Sequence, residues 1–130
     1  MTQKQKDLLL RDLCGRLSYG VICKSVNFRD PAKLVTIDLD GPSHDVFFCT
    51  NDGGSMWNDY DDIKPYLFPL SSMTKEQKKE YANLLVYTSS VERIQITGES
   101  TYDWLNKNMF DWRGLIPMGL ANDATGLNIY

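Results

Sequence analysis

Apolar residues recur along this chain at two different spacings, and the switches between them mark its elements. Over residues 3–17 the spacing is helical. Leu9, Leu10, Leu13, Cys14 and Leu17 fall on one side, and Lys4, Lys6, Asp7, Arg11 and Asp12 fall mostly on the other. Thr2 and Gln5 form a capping box that opens this helix. Gly20 stops it, after an end between Arg16 and Tyr19. Such an amphipathic face has to dock, and the chain's own sheet is the expected partner. From Val21 the spacing drops to two. Residues 21–26 predict a short strand and residues 27–31 a turn. Residues 34–39 alternate most cleanly, with Val35, Ile37 and Leu39 facing one way and Leu34, Thr36 and Asp38 the other. Residues 40–44 turn the chain, and residues 45–50 predict a third strand rich in valine and phenylalanine. Three strands with short connections predict an antiparallel meander, one face on the helix and the other polar.

The alternation then stops. Residues 51–62 carry four aspartates and no basic residue, with Trp57 and Tyr60 among them. They read as an acidic loop. Either Trp57 folds back onto the core, or Trp57 and Tyr60 stand exposed for a basic or aromatic partner. Pro65 and Pro69 exclude a regular helix or a central strand for residues 63–70. That stretch is expected to run extended over the surface, burying Ile63, Leu67 and Leu70. Thr74 and Gln77 repeat the capping box and start a second helix from Lys75 to about Tyr87, charged first and apolar later (Tyr81, Leu84, Leu85, Tyr87). Residues 91–97, with Ile94 and Ile96, predict a fourth strand or an extended segment. Ser100 with Asp103 starts a third helix that ends near Met109 or Phe110. Asp111-Trp112-Arg113-Gly114 is a turn whose glycine can take a positive φ. Pro117 biases Ile116 toward an extended conformation, and the tail beyond is an apolar strap. Trp104, Trp112, Leu115 and Ile116 are expected to close the core, with Asp111 and Arg113 as a surface ion pair worth little. In the alternative, Trp112 and Arg113 form an exposed recognition pair. The fold class is α+β: a small antiparallel sheet of three to four strands with about three helices packed on it, in a single domain over residues 1–130.

Composition narrows the function more than the fold. Hydrophobic residues at 42% and charged residues at 24% are ordinary globular values and exclude wholesale disorder. A net charge of −3 argues against a nucleic-acid binder. The one dense basic run, Lys75, Lys78 and Lys79, is interleaved with Glu76 and Glu80 and reads as a solvated helix face. Three cysteines without a CxxC spacing read as reduced thiols, Cys23 and Cys49 as small core residues. With His44 as the single histidine, no zinc site is expected. Residues 51–62 do not make a calcium loop, since the glycines come too early and no glutamate closes it. Gly53-Gly54 lacks the Lys-Ser/Thr partner of a phosphate loop, and no hydrolase, zincin or kinase motif is present. No apolar run has membrane-spanning length, and the first residues lack the apolar stretch of a secretory signal, so a cytoplasmic location is expected.

Three segments carry a resemblance. They are Asp62-Ile-Lys-Pro-Tyr-Leu-Phe-Pro-Leu-Ser-Ser-Met-Thr74, the run from Ser100 through Asp111-Trp-Arg-Gly-Leu-Ile-Pro-Met-Gly-Leu-Ala121, and the first helix with Leu17-Ser-Tyr-Gly-Val21. Over about half of the chain these resemble a group of short uncharacterised proteins of gut anaerobes and of their phages and mobile elements. The resemblance implies a small accessory protein, phage- or prophage-encoded, and assigns no role to any residue. The leading expectation is a non-enzymatic binding or regulatory protein that sequesters or occludes a partner. That partner is an unknown protein or small molecule, met by Trp57, Tyr60, Tyr66, Trp112 and Arg113. No cofactor, metal or catalytic residue is assigned, a membrane partner is excluded, nucleic acid is disfavoured, and a homo-oligomer stays open. One alternative is a small hydrolase or nucleotide-modifying enzyme built on His44 with Asp45, Asp59 and Asp61. The other is a structural component of a virion or mobile-element assembly, which would expose a broad apolar patch.

Overall fold

Thr2 caps the first helix as its spacing requires: the Gln5 N–H donates to the Thr2 hydroxyl (3.2 Å), and the Gln5 side chain accepts from the Thr2 N–H (3.0 Å). In this computed structural model, which describes residues 1–39, 46–51, 53–87 and 100–130, the helix is α1 (Gln3–Arg16). A 3-10 turn (Leu17–Tyr19) follows, closed by Gly20 at φ 78°. The strands are β1 (Ile22–Ser25), β2 (Ala32–Asp38), β3 (Val46–Asn51), β4 (Gly54–Asn58), β5 (Ile63–Leu67) and β6 (Asn122–Asp123). One-turn 3-10 helices precede and follow β5 (Tyr60–Asp62 and Leu70–Ser72). The helices α2 (Lys75–Tyr87) and α3 (Thr101–Lys107) complete the described elements. Both start on the predicted capping boxes, Thr74 with Gln77 and Ser100 with Asp103. The turn expected at 40–44 and the strand expected at 91–97 lie outside the described residues.

The α+β class holds, but the sheet is larger than expected and mixed. Its order is β4-β3-β2-β1-β5-β6, antiparallel except for the β5–β6 pair. Two strands account for the difference. β4 forms within the acidic stretch, where Asn51 pairs with Gly54 and only two residues join it to β3. β5 forms despite Pro65, which sits opposite Cys23 of β1. β6 pairs only with Tyr66 and Leu67, so at Pro65 the strand has one neighbour and a missing N–H is tolerated there. The predicted facing of β2 also changes. Ala32 and Leu34 are buried and Val35 is exposed, yet Ile37 packs on the core with Leu34, because the register shifts at a bulge between Leu34 and Thr36. A bulge bends and twists its strand, and this sheet curls back on itself. Asn58 at the end of β4 accepts from Ser25 Oγ (2.7 Å) and from the Asn27 side-chain amide. Val26 N–H donates to the Asp62 carbonyl (3.0 Å).

The concave face of the sheet and α1 enclose the main core, which includes Leu9, Leu13, Cys23, Leu34, Ile63 and Leu115. α1 does not divide as the simple pattern predicts. Asp12 and Arg16 are fully buried, while Cys14 is exposed. Arg16 Nε donates to Asp12 Oδ2 (2.8 Å), and its Nη2 donates to Asp12 Oδ1 (3.0 Å) and to the Phe110 carbonyl (2.7 Å). Burying two charges is tolerable only with hydrogen bonds of this quality. A second core cluster gathers Met73, Leu84, Trp104, Leu105 and Phe110, with Trp104 stacked between Tyr81 (5.9 Å) and Phe110 (5.7 Å). Leu70, expected inside, is exposed.

The C-terminal run is shaped by polar groups that bind its own backbone. α3 stops at Lys107, earlier than expected, and Met109 adopts φ 60°. Phe68 N–H donates to Met109 O, and Asp111 N–H to Phe68 O, both at 2.8 Å. Asp111 is not a surface ion pair with Arg113. It is buried, and its carboxylate accepts from the N–H groups of Leu115 (2.7 Å) and Ile116 (2.9 Å). Gly114 takes φ 77°, as the turn requires. Tyr130 closes the arrangement. The β1–β5 register would bring Ile22 opposite Tyr66. There the Tyr130 hydroxyl accepts from Ile22 N–H (2.9 Å) and donates to Tyr66 O (2.7 Å). Loss of water around that oxygen pushes the phenol above its ordinary pKa.

Replacing Arg16 by Met strands the Asp12 carboxylate, and the expected loss is about 3–5 kcal/mol, read as a lower urea midpoint. Tyr130→Phe removes one hydroxyl from two backbone groups and should cost about 1–3 kcal/mol in the same measurement. Burial also pushes the Cys23 thiol well up and the Cys49 thiol up to about 11. In the unfolded chain these thiols ionise near their ordinary value of 9.0, so the fold favours the neutral form. The Cys49 contribution is fully present below that value and is lost as pH rises through about 11, so urea midpoints should fall across that window.

Candidate binding surfaces

The acidic stretch becomes a surface through its hairpin. Two residues join β3 to β4, and Gly53 holds φ 78°, a conformation that tight hairpins demand and glycine supplies. Gly54 sits so close to Phe28 that a Cβ there would meet the ring at 3.2 Å, which fixes the start of the strand. Residues 54–57 of β4 are exposed, and only Asn58 is buried. Neighbouring strand residues point to opposite faces, so Met56 and Trp57, exposed by 47% and 48%, sit on the two sides of one edge strand. Trp57 is therefore not folded back onto the core. Asp59 and Asp61 are exposed just beyond it, and Asp62 is half-buried. Tyr60 is a correction: at 5% exposure it belongs to the core, under the Lys6 ammonium (5.9 Å from the ring centre). The 3-10 turn carries its ring inward while its acidic neighbours face out.

Tyr66 lies elsewhere. It lines a cleft of about 360 Å³ on the outer face of β1 and β5, with Lys24, Asp61, Asp62 and Lys64. Its carbonyl is the one held by Tyr130. Trp112 and Arg113 occupy a third place, beside α1 and α3. α1 and α3 approach closely there: a Cβ on Gly15 would stand 3.0 Å from the Asn106 amide nitrogen. The Asn106 carbonyl oxygen accepts the Trp112 indole N–H (2.9 Å). That bond fixes the plane of the indole. Tyr102 packs on it at 4.6 Å between ring centres, and the Arg113 guanidinium lies over it at 4.0 Å. Arg113 Nη1 approaches Asp12 Oδ1 to 3.7 Å, an ion pair without a hydrogen bond. Burial lowers the Arg113 pKa; Asp12 opposes that shift, and Arg16 and Arg11 add to it. The five sequence candidates thus fall into a strand, a core, a cleft and an aromatic stack. Tyr102, a member of that stack, is missed by the sequence pattern. Its signal is the pairing of Tyr102 with Asp103 in the first turn of a capped helix, which places one residue outward and the other on the cap.

None of the thiols is set up as a nucleophile, since burial raises Cys14, Cys23 and Cys49 alike. Among the described residues no group of three or more His, Cys, Asp or Glu could hold a metal ion, and no helix is long and apolar enough to cross a membrane. His44 and Asp45, on which the hydrolase alternative depends, lie outside the described residues. No protein-family model, curated protein or solved structure matches this chain.

Exposure separates the thiols. At neutral pH a maleimide should label Cys14 in the folded protein, while Cys23 and Cys49 should react only after denaturant is added. Mass spectrometry of proteolytic fragments reads the order directly, and early labelling of Cys49 would contradict the packing described.

Proposed function

We propose that this chain is a small non-enzymatic binding protein that sequesters or occludes a partner in the cytoplasm. The resemblance to accessory proteins of gut anaerobes and their phages supports that setting. The observation that carries the reading is Trp57, about half exposed on one side of an uncharged edge strand, with Met56 about half exposed on the other. A large, half-exposed aromatic on a strand is a recurrent anchor of protein interfaces, since tryptophan supplies wide contact area for little lost freedom. Asp59 and Asp61 flank it with negative charge, and no lysine or arginine lies within residues 51–62. Acidic flanks favour a partner with a basic rim and speed its approach at low salt. Nothing in this reading requires bond-making chemistry, and occupation of the partner's surface is enough.

Trp57→Ala tests it without touching the core. The variant should keep the circular dichroism and thermal midpoint of the parent. Immobilised wild-type protein should retain a discrete partner from a host lysate. The purified pair should then bind about 30-fold more weakly in the variant, the loss of a hot-spot tryptophan. Equal retention by parent and variant would remove this strand from the function.

A further inference from the structure

The carboxylates around the aromatic stack leave one guanidinium without an oxygen acceptor. Asp12 is taken on both oxygens by Arg16. Asp111 is committed to the backbone of Leu115 and Ile116. Arg113, whose side chain is 18% exposed, reaches Asp12 only at 3.7 Å. Its Nη1 is buried without a hydrogen-bond partner, as is Nη1 of Arg16, and its guanidinium donates no hydrogen bond to any described residue. A mostly buried guanidinium in this state is unusual, because such groups are nearly always paired with an oxygen acceptor. Arg11 and Arg16 lie close enough to disfavour its charge further, against the opposing pull of Asp12. The guanidinium also has a fixed neighbour: its carbon lies 4.0 Å from the centre of the Trp112 ring, and Asn106 holds that indole. Tyr102, exposed by 58%, extends the same stack outward. A planar, oriented arginine beside an exposed aromatic ring suits a ligand that is anionic at one end and flat at the other.

We propose that Arg113, Trp112 and Tyr102 form a binding site for a small aromatic oxyanion, its carboxylate or phosphate on the Arg113 guanidinium and its ring against Tyr102. The site lies on a different surface from the Trp57 strand and stands or falls independently of it. Its chemistry is charge-assisted hydrogen bonding from a fixed fork, with ring stacking adding selectivity for aromatic over simple anions.

Phenyl phosphate and benzoate are the probes, with benzylamine as the cationic control, titrated into isotope-labelled full-length protein. The Trp112 indole N–H and the Arg113 Nε–H resonances should shift saturably with at least one anion and not with benzylamine. A response to phenyl phosphate alone assigns the site to phosphate esters, and one to benzoate alone assigns it to carboxylates. Arg113→Met should weaken binding by about tenfold or more, as loss of a charged hydrogen-bond donor does. Arg113→Lys, which keeps the charge without the fork, should fall between. Tyr102→Ala, at an exposed position, should bring phenyl phosphate down toward inorganic phosphate. Absence of a saturable shift with both anions in the wild-type protein overturns the proposal, and so does binding that Arg113→Met leaves unchanged.

Discussion

A buried guanidinium joins two distant parts of this chain. Arg16 is inside the protein because Asp12, one helical turn earlier, neutralises it and the Phe110 carbonyl accepts the second N–H of Nη2. Removing either partner would leave a charge or a polar group in the core without compensation, a far larger penalty than the loss of one ordinary contact. The C-terminal run is therefore held against α1 by a directional bond, in addition to apolar burial. Its local shape follows from the same kind of interaction. Asp111 gathers two N–H groups, Asn108 caps a carbonyl of α3 with its amide, and Asn106 holds the Trp112 indole. Side chains that bond the backbone replace regular secondary structure over residues 108–116.

The sheet supplies the other half of the architecture. The bulge in β2 lets one continuous sheet curl until Asn58 of β4 meets Ser25 of β1. The curl puts Cys23, Leu34 and Cys49 inside and leaves the outer residues Lys24, Lys33 and Lys64 in water. The two surfaces of interest, the Trp57 strand and the Tyr102–Trp112–Arg113 stack, belong to different layers. One is presented by the sheet edge and the other by the packing of α3 and the C-terminal run on α1.

What could be read in the sequence follows the range of the forces involved. The three capping boxes and the glycine stop of α1 depend on residues three or four apart, and all form as their spacing predicts. Asp12 and Arg16 also carried a local signal, an acid–base pair four apart beside Leu9 and Leu13. Only the distant Phe110 carbonyl makes burial of that pair tolerable, so the pattern alone places Asp12 in water. β4 has a local signal too: Asn-Asp-Gly-Gly is a tight-hairpin sequence, masked by the aspartates that follow. β5 was not legible, because its acceptability depends on β6, a two-residue strand from the far end of the chain. The site residues divide the same way. Trp112 and Arg113 stand out by type, but the partners that orient them, Asn106, Asp12 and Tyr102, come from two other elements. Tyr60 was misplaced because its acidic neighbours imply exposure, whereas a 3-10 turn can send one ring inward between two outward carboxylates.

The bond from Arg16 to Phe110 has a meaning in time as well as in space. A ribosome releases Arg16 early, and the acceptor it needs lies 94 positions later. At 5–20 residues per second, that interval is roughly 5–20 s. Throughout it the first helix has its internal acid–base pair but cannot bury it in a finished core. Contacts between such remote positions also slow the final collapse. The nascent chain must therefore carry an apolar, half-charged helix in the open until residue 110 has been made.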